Sequence, residues 1–207
     1  MHGKRGVLGL ALVALLVVLL APAALAGAYS IGVSGGLGAP LSDFKDAFNS
    51  GWNGAGMADY ELAPMWGIGA DLGYHTWKAS DAVIKAALLA APPGTTLDDK
   101  LSAFQYGLHG TATPPMLGPV HPYAQVGAAM YSLKDKSESN YAPLATETSK
   151  SLFGWNAGAG VNFTMMPTLS LGLDGIYHNI NSKKDFGSNA TWFSVNGKLT
   201  FHIPMVK

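Results

Sequence analysis

The side chains able to do chemistry are few. Four carboxylates (Asp59, Glu61, Asp71 and Asp174), one ammonium (Lys198) and the imidazoles His75, His178 and His202 share one face of alternating segments, with His109 on another segment. Enclosed charges of this kind need partners, because unpaired burial is costly. The set therefore reads as a polar network that plugs an interior, or as the lining of a narrow, cation-favouring passage. Asp174 and Lys198 lie near the middle of consecutive segments and are expected to touch. No two histidines have ligand spacing that stands alone as a metal site. Asp43 and Asp46, and likewise Asp98 and Asp99, lack the spaced oxygen ligands of a calcium loop. The chain has no cysteine, which excludes disulfides and thiolate metal sites. No metal and no cofactor is expected.

The elements that must hold these residues follow from composition and pattern. A chain of 207 residues is about one domain. With 48% apolar and only 13% charged residues it is not a disordered chain. A formal charge of +0 argues against nucleic acid as a partner. Lys4 and Arg5 precede the apolar run Val7–Leu20, and small residues follow at Ala24 and Ala26. This is the layout of a secretory signal peptide over 1–26, cleaved before Gly27, with the domain over 27–207. Its removal takes two cations and the only arginine, leaving 11 cations against 13 acids. Bidentate guanidinium recognition of phosphate is then not available.

From Tyr29 onward the chain alternates with period two, as strands do. Thr191, Phe193, Val195, Gly197, Leu199, Phe201 and Ile203 share one face, and Trp192, Ser194, Asn196, Lys198, Thr200 and His202 the other. Comparable segments start at Tyr29, Trp52, Met65, Lys100, Val120, Ser151 and Thr168. In Val120–Ser132 the phase is ambiguous, and Gln125 points the odd positions inward. The segments run to about 11 to 14 residues, against ~5–6 for soluble strands and ~9–11 for a tilted strand crossing a bilayer. Short connections alternate with long ones at 40–51, 79–99, 133–150 and 181–189. Lipocalins and sandwiches also alternate. Here the strands are long, aromatics such as Trp52, Trp66, Trp155 and Phe201 sit near segment ends on the apolar face, and the opposite face is rich in Gly, Ser and Asn. That pattern indicates an all-β, eight-stranded, antiparallel up-and-down transmembrane barrel.

The stretches PYAQVGAAMY (Pro122–Tyr131), WNAGAGVNF (Trp155–Phe163) and LGLDGIYHNI…WFSVNGKLTF (Leu171–Phe201) resemble the small outer-membrane β-barrels of OmpA/OmpX type. The resemblance implies a bacterial outer-membrane location reached through the periplasm, with short turns inside and long loops outside. It implies outer-membrane lipid, lipopolysaccharide and the barrel-assembly machinery as partners, and a monomer. It implies an interior filled by side chains. Such barrels end on a terminal aromatic residue, whereas here Pro204–Lys207 follow Phe201 and Ile203. Lipid A deacylases of this shape carry His-x-Ser on a late strand. The matching stretch reads His178-Asn179-Ile180, and an isoleucine cannot attack an ester. The chain is therefore read as a non-enzymatic structural or surface-interaction protein. The alternative is a narrow passive channel for small or hydrophobic solutes, as in OmpW-type barrels.

Two loops stand out. Ser80-Asp81 is placed to cap a helix over Ala82–Ala91, stopped by Pro92-Pro93. Its residues Val83, Ile84, Leu88 and Leu89 are candidates for a hydrophobic gate at the barrel mouth. Lys134–Glu138 reads as a solvated charged tip in the third loop.

Overall fold

The computed structural model describes residues 28–115, 118–183 and 188–203. The expected signal segment and the Pro204–Lys207 tail lie outside them. Eight antiparallel strands close into one barrel in chain order. They are β1 Tyr29–Leu41, β2 Gly51–Ala63, β3 Trp66–Lys78, β4 Leu97–Ala112, β5 Val120–Ser139, β6 Thr146–Met166, β7 Leu169–Ile180 and β8 Ala190–Ile203. The seam between β1 and β8 runs from Tyr29↔Ile203 to Leu41↔Thr191. Closure pairs every strand on both sides, which is the condition for putting strands in hydrocarbon. No described helix is long and apolar enough to cross a membrane.

The alternation in the sequence is the alternation between wall and lumen. Val33, Leu37, Trp52, Trp66, Val126, Trp155, Leu173, Val195 and Phe201 are exposed on the outer wall. Asn53, His75, Gln105, Asn156, Asp174, His178 and Asn196 are buried inside. In β5 the odd positions face inward, with Tyr123, Ala129, Tyr131 and Leu133 buried.

The chain between β5 and β6 departs from expectation. Lys134–Glu138 is not a loop tip but strand, because the β5–β6 ladder continues to Ser137↔Thr146. Alternation of hydrophobicity stops after Leu133, since both faces of the extension are polar, and a test based on apolar period cannot follow a strand there. β4 keeps pace as far as Leu97↔Ser139. β7 stops at Gly154↔Ile180, so β4, β5 and β6 stand beyond the barrel as a three-stranded sheet. Phe153 O accepts from Asn181 N on the β7 side. By alternation, the backbone groups of Ser149 and Ser151 face the side of β6 on which no described strand follows β7.

Two short helices occupy the long loops. Helix α1, Asp43–Ala47, carries a buried Phe44. Helix α2, Asp81–Leu88, is capped by Ser80, whose hydroxyl accepts from Val83 N at 3.4 Å. It ends at Leu88, short of the expected Ala91.

Candidate functional site

The lumen has three levels. At the long-loop end, aromatic side chains from five elements meet: Phe44 (α1), Trp77 (β3), Tyr131 (β5), and Trp192 (β8), with His75 (β3) and His178 (β7) among them. Phe44 packs edge-on to Trp77 at 5.3 Å between centroids. Trp77 and Trp192 are 5.0 Å apart at 68°. His178 lies flat on Trp192, at 4.6 Å and 5°. His75 lies flat on Trp77, at 5.9 Å and 5°. Leu101, Leu133 and Ile180 complete this buried cluster.

The middle level is a hydrogen-bonded chain. His109 Nε2 is 2.7 Å from Asp59 Oδ1 and its Nδ1 is 3.1 Å from Asp71 Oδ1. Gln105 Nε2 donates to Asp71 Oδ2 at 2.5 Å, and Gln105 Oε1 is 3.0 Å from His75 Nε2. A carboxylate only accepts, so the orientation of the Gln105 amide is fixed, and its oxygen requires a proton on His75 Nε2. Two ionised carboxylates accept from both nitrogens of His109 only when the ring carries two N–H groups. A cavity of about 50 Å³ lies in this level, between Asp71, His109, Asp174 and Asn196.

At the short-turn end the lumen widens into a cavity of about 440 Å³. Asp59, Glu61, His121, Lys198 and His202 line it. Ser170 Oγ is 2.8 Å from His202 Nε2.

The structure thus brings Asp59, Asp71 and His75 into one chain and places His178 in the aromatic level, bonded to Tyr131 OH at 3.1 Å. Glu61 stands exposed at the rim of the wide cavity. The expected contact of Asp174 with Lys198 is not formed. The β7–β8 register sets Asn196 opposite Asp174 and Gly172 opposite Lys198. Asp174 accepts from Asn196 Nδ2 at 2.7 Å and from Tyr123 OH at 2.9 Å. Lys198 Nζ instead lies 4.4 Å above the Tyr123 ring. Among the described residues no group of three or more His, Asp and Glu side chains is placed to hold a metal ion.

The gate candidates Val83, Ile84, Leu88 and Leu89 are not buried; Leu89 is 89% exposed. The ring that seats in the aromatic level comes from the first loop, as Phe44. Sequence reading also passed over Trp77, Tyr131 and Trp192. The signal was present: all three are aromatic at inward parity, at the long-loop ends of their strands. Gln105, which links Asp71 to His75, carried no comparable signal.

For ester hydrolysis, Ser182 is the remaining hydroxyl near His178 in sequence. Its hydroxyl donates to Ser188 O at 2.8 Å and accepts from Ala190 N at 2.8 Å, which ties it into the loop. His178 is bonded to Tyr131 instead.

Comparison with known proteins agrees with this architecture. Neisserial surface protein A superposes with a TM-score of 0.57 at 13% identity, over 84% of this chain and 96% of that one. Ail, the attachment invasion locus protein of Yersinia pestis, gives 0.50 at 14% identity, over 86% and 97%. At these identities the likeness is one of fold. No curated protein matches the sequence. The description "outer membrane protein beta-barrel domain" matches residues 11–201. The chain belongs to that family, and its barrel is one of the bacterial outer membrane.

Proposed function

We propose that this protein is a non-enzymatic surface-interaction barrel, closed to solutes by the aromatic level. Its working part is the sheet that β4, β5 and β6 raise above the membrane. The observation that carries the reading is the mismatch of strand lengths. β6 keeps its partner β5 up to Thr146, while β7 leaves it at Gly154. On the side that β7 leaves, no described strand pairs with β6 beyond Phe153, and Ser149 and Ser151 turn their backbone donors and acceptors to it. Natural sheets protect such edges with bulges, proline, charge or short strands. This one has no proline, carries one Glu and one Lys over 146–152, and suits pairing with an extended segment of a partner protein. Outer-membrane lipid and lipopolysaccharide surround the wall, and assembly machinery inserts it; the barrel acts as a monomer.

Proline at Ser149 tests the edge. The Ser149 N–H faces away from β5, so the substitution leaves the ladder intact and blocks the edge. Cells displaying Ser149→Pro are expected to lose most binding to an immobilised host-matrix protein panel, with the amount of folded barrel unchanged. Equal binding by both forms overturns the edge reading. Planar-bilayer recording tests closure: silence near neutral pH is expected. Discrete openings there would favour the channel alternative, for which the 440 Å³ cavity at the periplasmic end is the supporting observation.

A further inference from the structure

We propose that the aromatic level is an acid-operated gate: protonation of both His75 and His178 parts the His–Trp stacks and opens the barrel. The proposal rests on the closed-barrel reading and adds the condition that ends it.

Two imidazoles meet edge to face, 5.1 Å between centroids. Each lies flat on an indole, His75 on Trp77 and His178 on Trp192. Both are nearly fully buried, at 4% and 3% exposure. The neutral forms fit this packing. His75 carries its proton on Nε2, facing Gln105, and its Nδ1 has no hydrogen-bond partner among the described residues. A second proton on His75 would sit on that nitrogen, with no described group placed to accept from it. At His178, a proton on Nδ1 would oblige the Tyr131 hydroxyl to stop donating and accept instead.

One charge could be tolerated, since an indole face attracts a cation. Two charges at this separation in a site shielded from water repel strongly. The surroundings do not neutralise them. From β3, Asp71 is the nearest carboxylate, and it is already bonded to Gln105 and His109. From β4, His109 adds positive charge held between Asp59 and Asp71. From β5 and β6 come Tyr131 and Asn156, and from β7 Asp174, which is taken by Tyr123 and Asn196. From β8 come Trp192 and Asn196, from β2 Asn53, and from β1 Gly36 and Gly38. Helix α1 contributes Phe44, while its Asp43, Lys45 and Asp46 are exposed. Two carboxylates, Asp71 and Asp174, line the small cavity with the two imidazoles, and both are already engaged. The packing that seals the level is the part that must yield.

The test is planar-bilayer recording of the refolded full chain at neutral pH and at about pH 3.5, about three units below the ordinary histidine value. Silence at neutral pH and discrete openings in acid are expected, with open time rising at least about tenfold, the effect of a modest shift in a two-state balance. The double variant His75→Phe/His178→Phe keeps aromatic packing and is expected to stay silent at both. Should it fail to insert, each single phenylalanine variant, which can carry only one of the two charges, is expected to stay silent in acid as well. Silence of the native barrel in acid overturns the gate and leaves the closed barrel standing. Openings at neutral pH overturn the closed barrel itself. Acid openings that persist unchanged in the phenylalanine variants overturn the assignment to these histidines.

Discussion

Asp59 and His109 meet across a whole strand. They belong to β2 and β4, and the β3 residue that opposes both is Gly69. Having no side chain, Gly69 lets a carboxylate and an imidazole close to 2.7 Å above it. The same device recurs in the lumen. Asn196 lies over Gly36, Asn156 over Gly127 and Asn162 over Gly172. A barrel of eight strands has room for either a side chain or its neighbour, and inward glycines decide which.

A methyl group at Gly69 should therefore break the pair. Its Cβ would stand 2.3 Å from Asp59 Oδ1 and 2.5 Å from His109 Nε2. Gly69→Ala is expected to cost about 1–3 kcal/mol, the usual range for overpacking. Gly56→Ala is the control, because its Cβ meets nothing within 4 Å, and it should stay within about 0.5 kcal/mol of the native barrel. Urea unfolding in lipid vesicles, followed by the band shift between folded and heated protein, measures both. Equal midpoints for the two variants would show that the pair contributes nothing.

Removing the imidazole is a harsher change than crowding it. In His109→Leu, Asp59 and Asp71 face each other in the lumen with no proton donor between them. Loss of one member of a buried ionic cluster typically costs about 3–5 kcal/mol. His109→Gln retains one donor and should lose less. The order Leu worse than Gln, measured by the same unfolding assay, is the expected outcome. The reverse order would mean that ring volume rather than donation matters at this position.

The wall of this barrel was legible in the sequence because lipid and lumen impose opposite chemistry on alternate residues. The eight strands follow from that rule. Their upper limits do not, since β5 and β6 run on into water, where both faces are polar and alternation loses its meaning. The acids and histidines of the lumen were legible from parity alone. Their pairing was not, because it depends on register: a shift of two residues decides whether Asp174 opposes Asn196 or Lys198. The aromatic level is a third case. Trp192 reads with its polar neighbours and Trp77 lies at the same parity beyond His75, although a large ring at that parity must occupy the lumen. Phe44 reaches it only through the path of a loop, which no periodicity encodes.

Trp192 is fully buried and touches Trp77, Tyr131, His75 and His178. Trp192→Ala should cost about 3–5 kcal/mol through the cavity it leaves. If the aromatic level is what closes the barrel, the same variant should pass small ions at neutral pH. Leu89→Ala on the exposed end of α2 should do neither. Bilayer silence in a folded Trp192→Ala barrel would move the point of closure down to the polar level.

The extension above the membrane has its own acid response. Asp135 and Asp99 both point inward there, diagonally across β5 and β4, since Leu101 opposes Asp135 and Ser137 opposes Asp99. Burial first, and the neighbouring Asp99 carboxylate second, push the Asp135 pKa up to about 6. A carboxyl with a raised folded pKa holds its proton longer in the fold than in the unfolded chain. Its contribution is therefore most favourable near pH 4 and declines as pH rises towards 6, then stays flat. Asp135→Asn removes the decline. The variant should match the native sheet at about pH 4 and be the more stable of the two above about pH 6, the window set by the ordinary and the raised values. Hydrogen exchange at the amides of Leu97–Leu101, across from Asp135–Ser139, reads the difference where it arises. Protection that falls with pH equally in both forms would assign the response to another group.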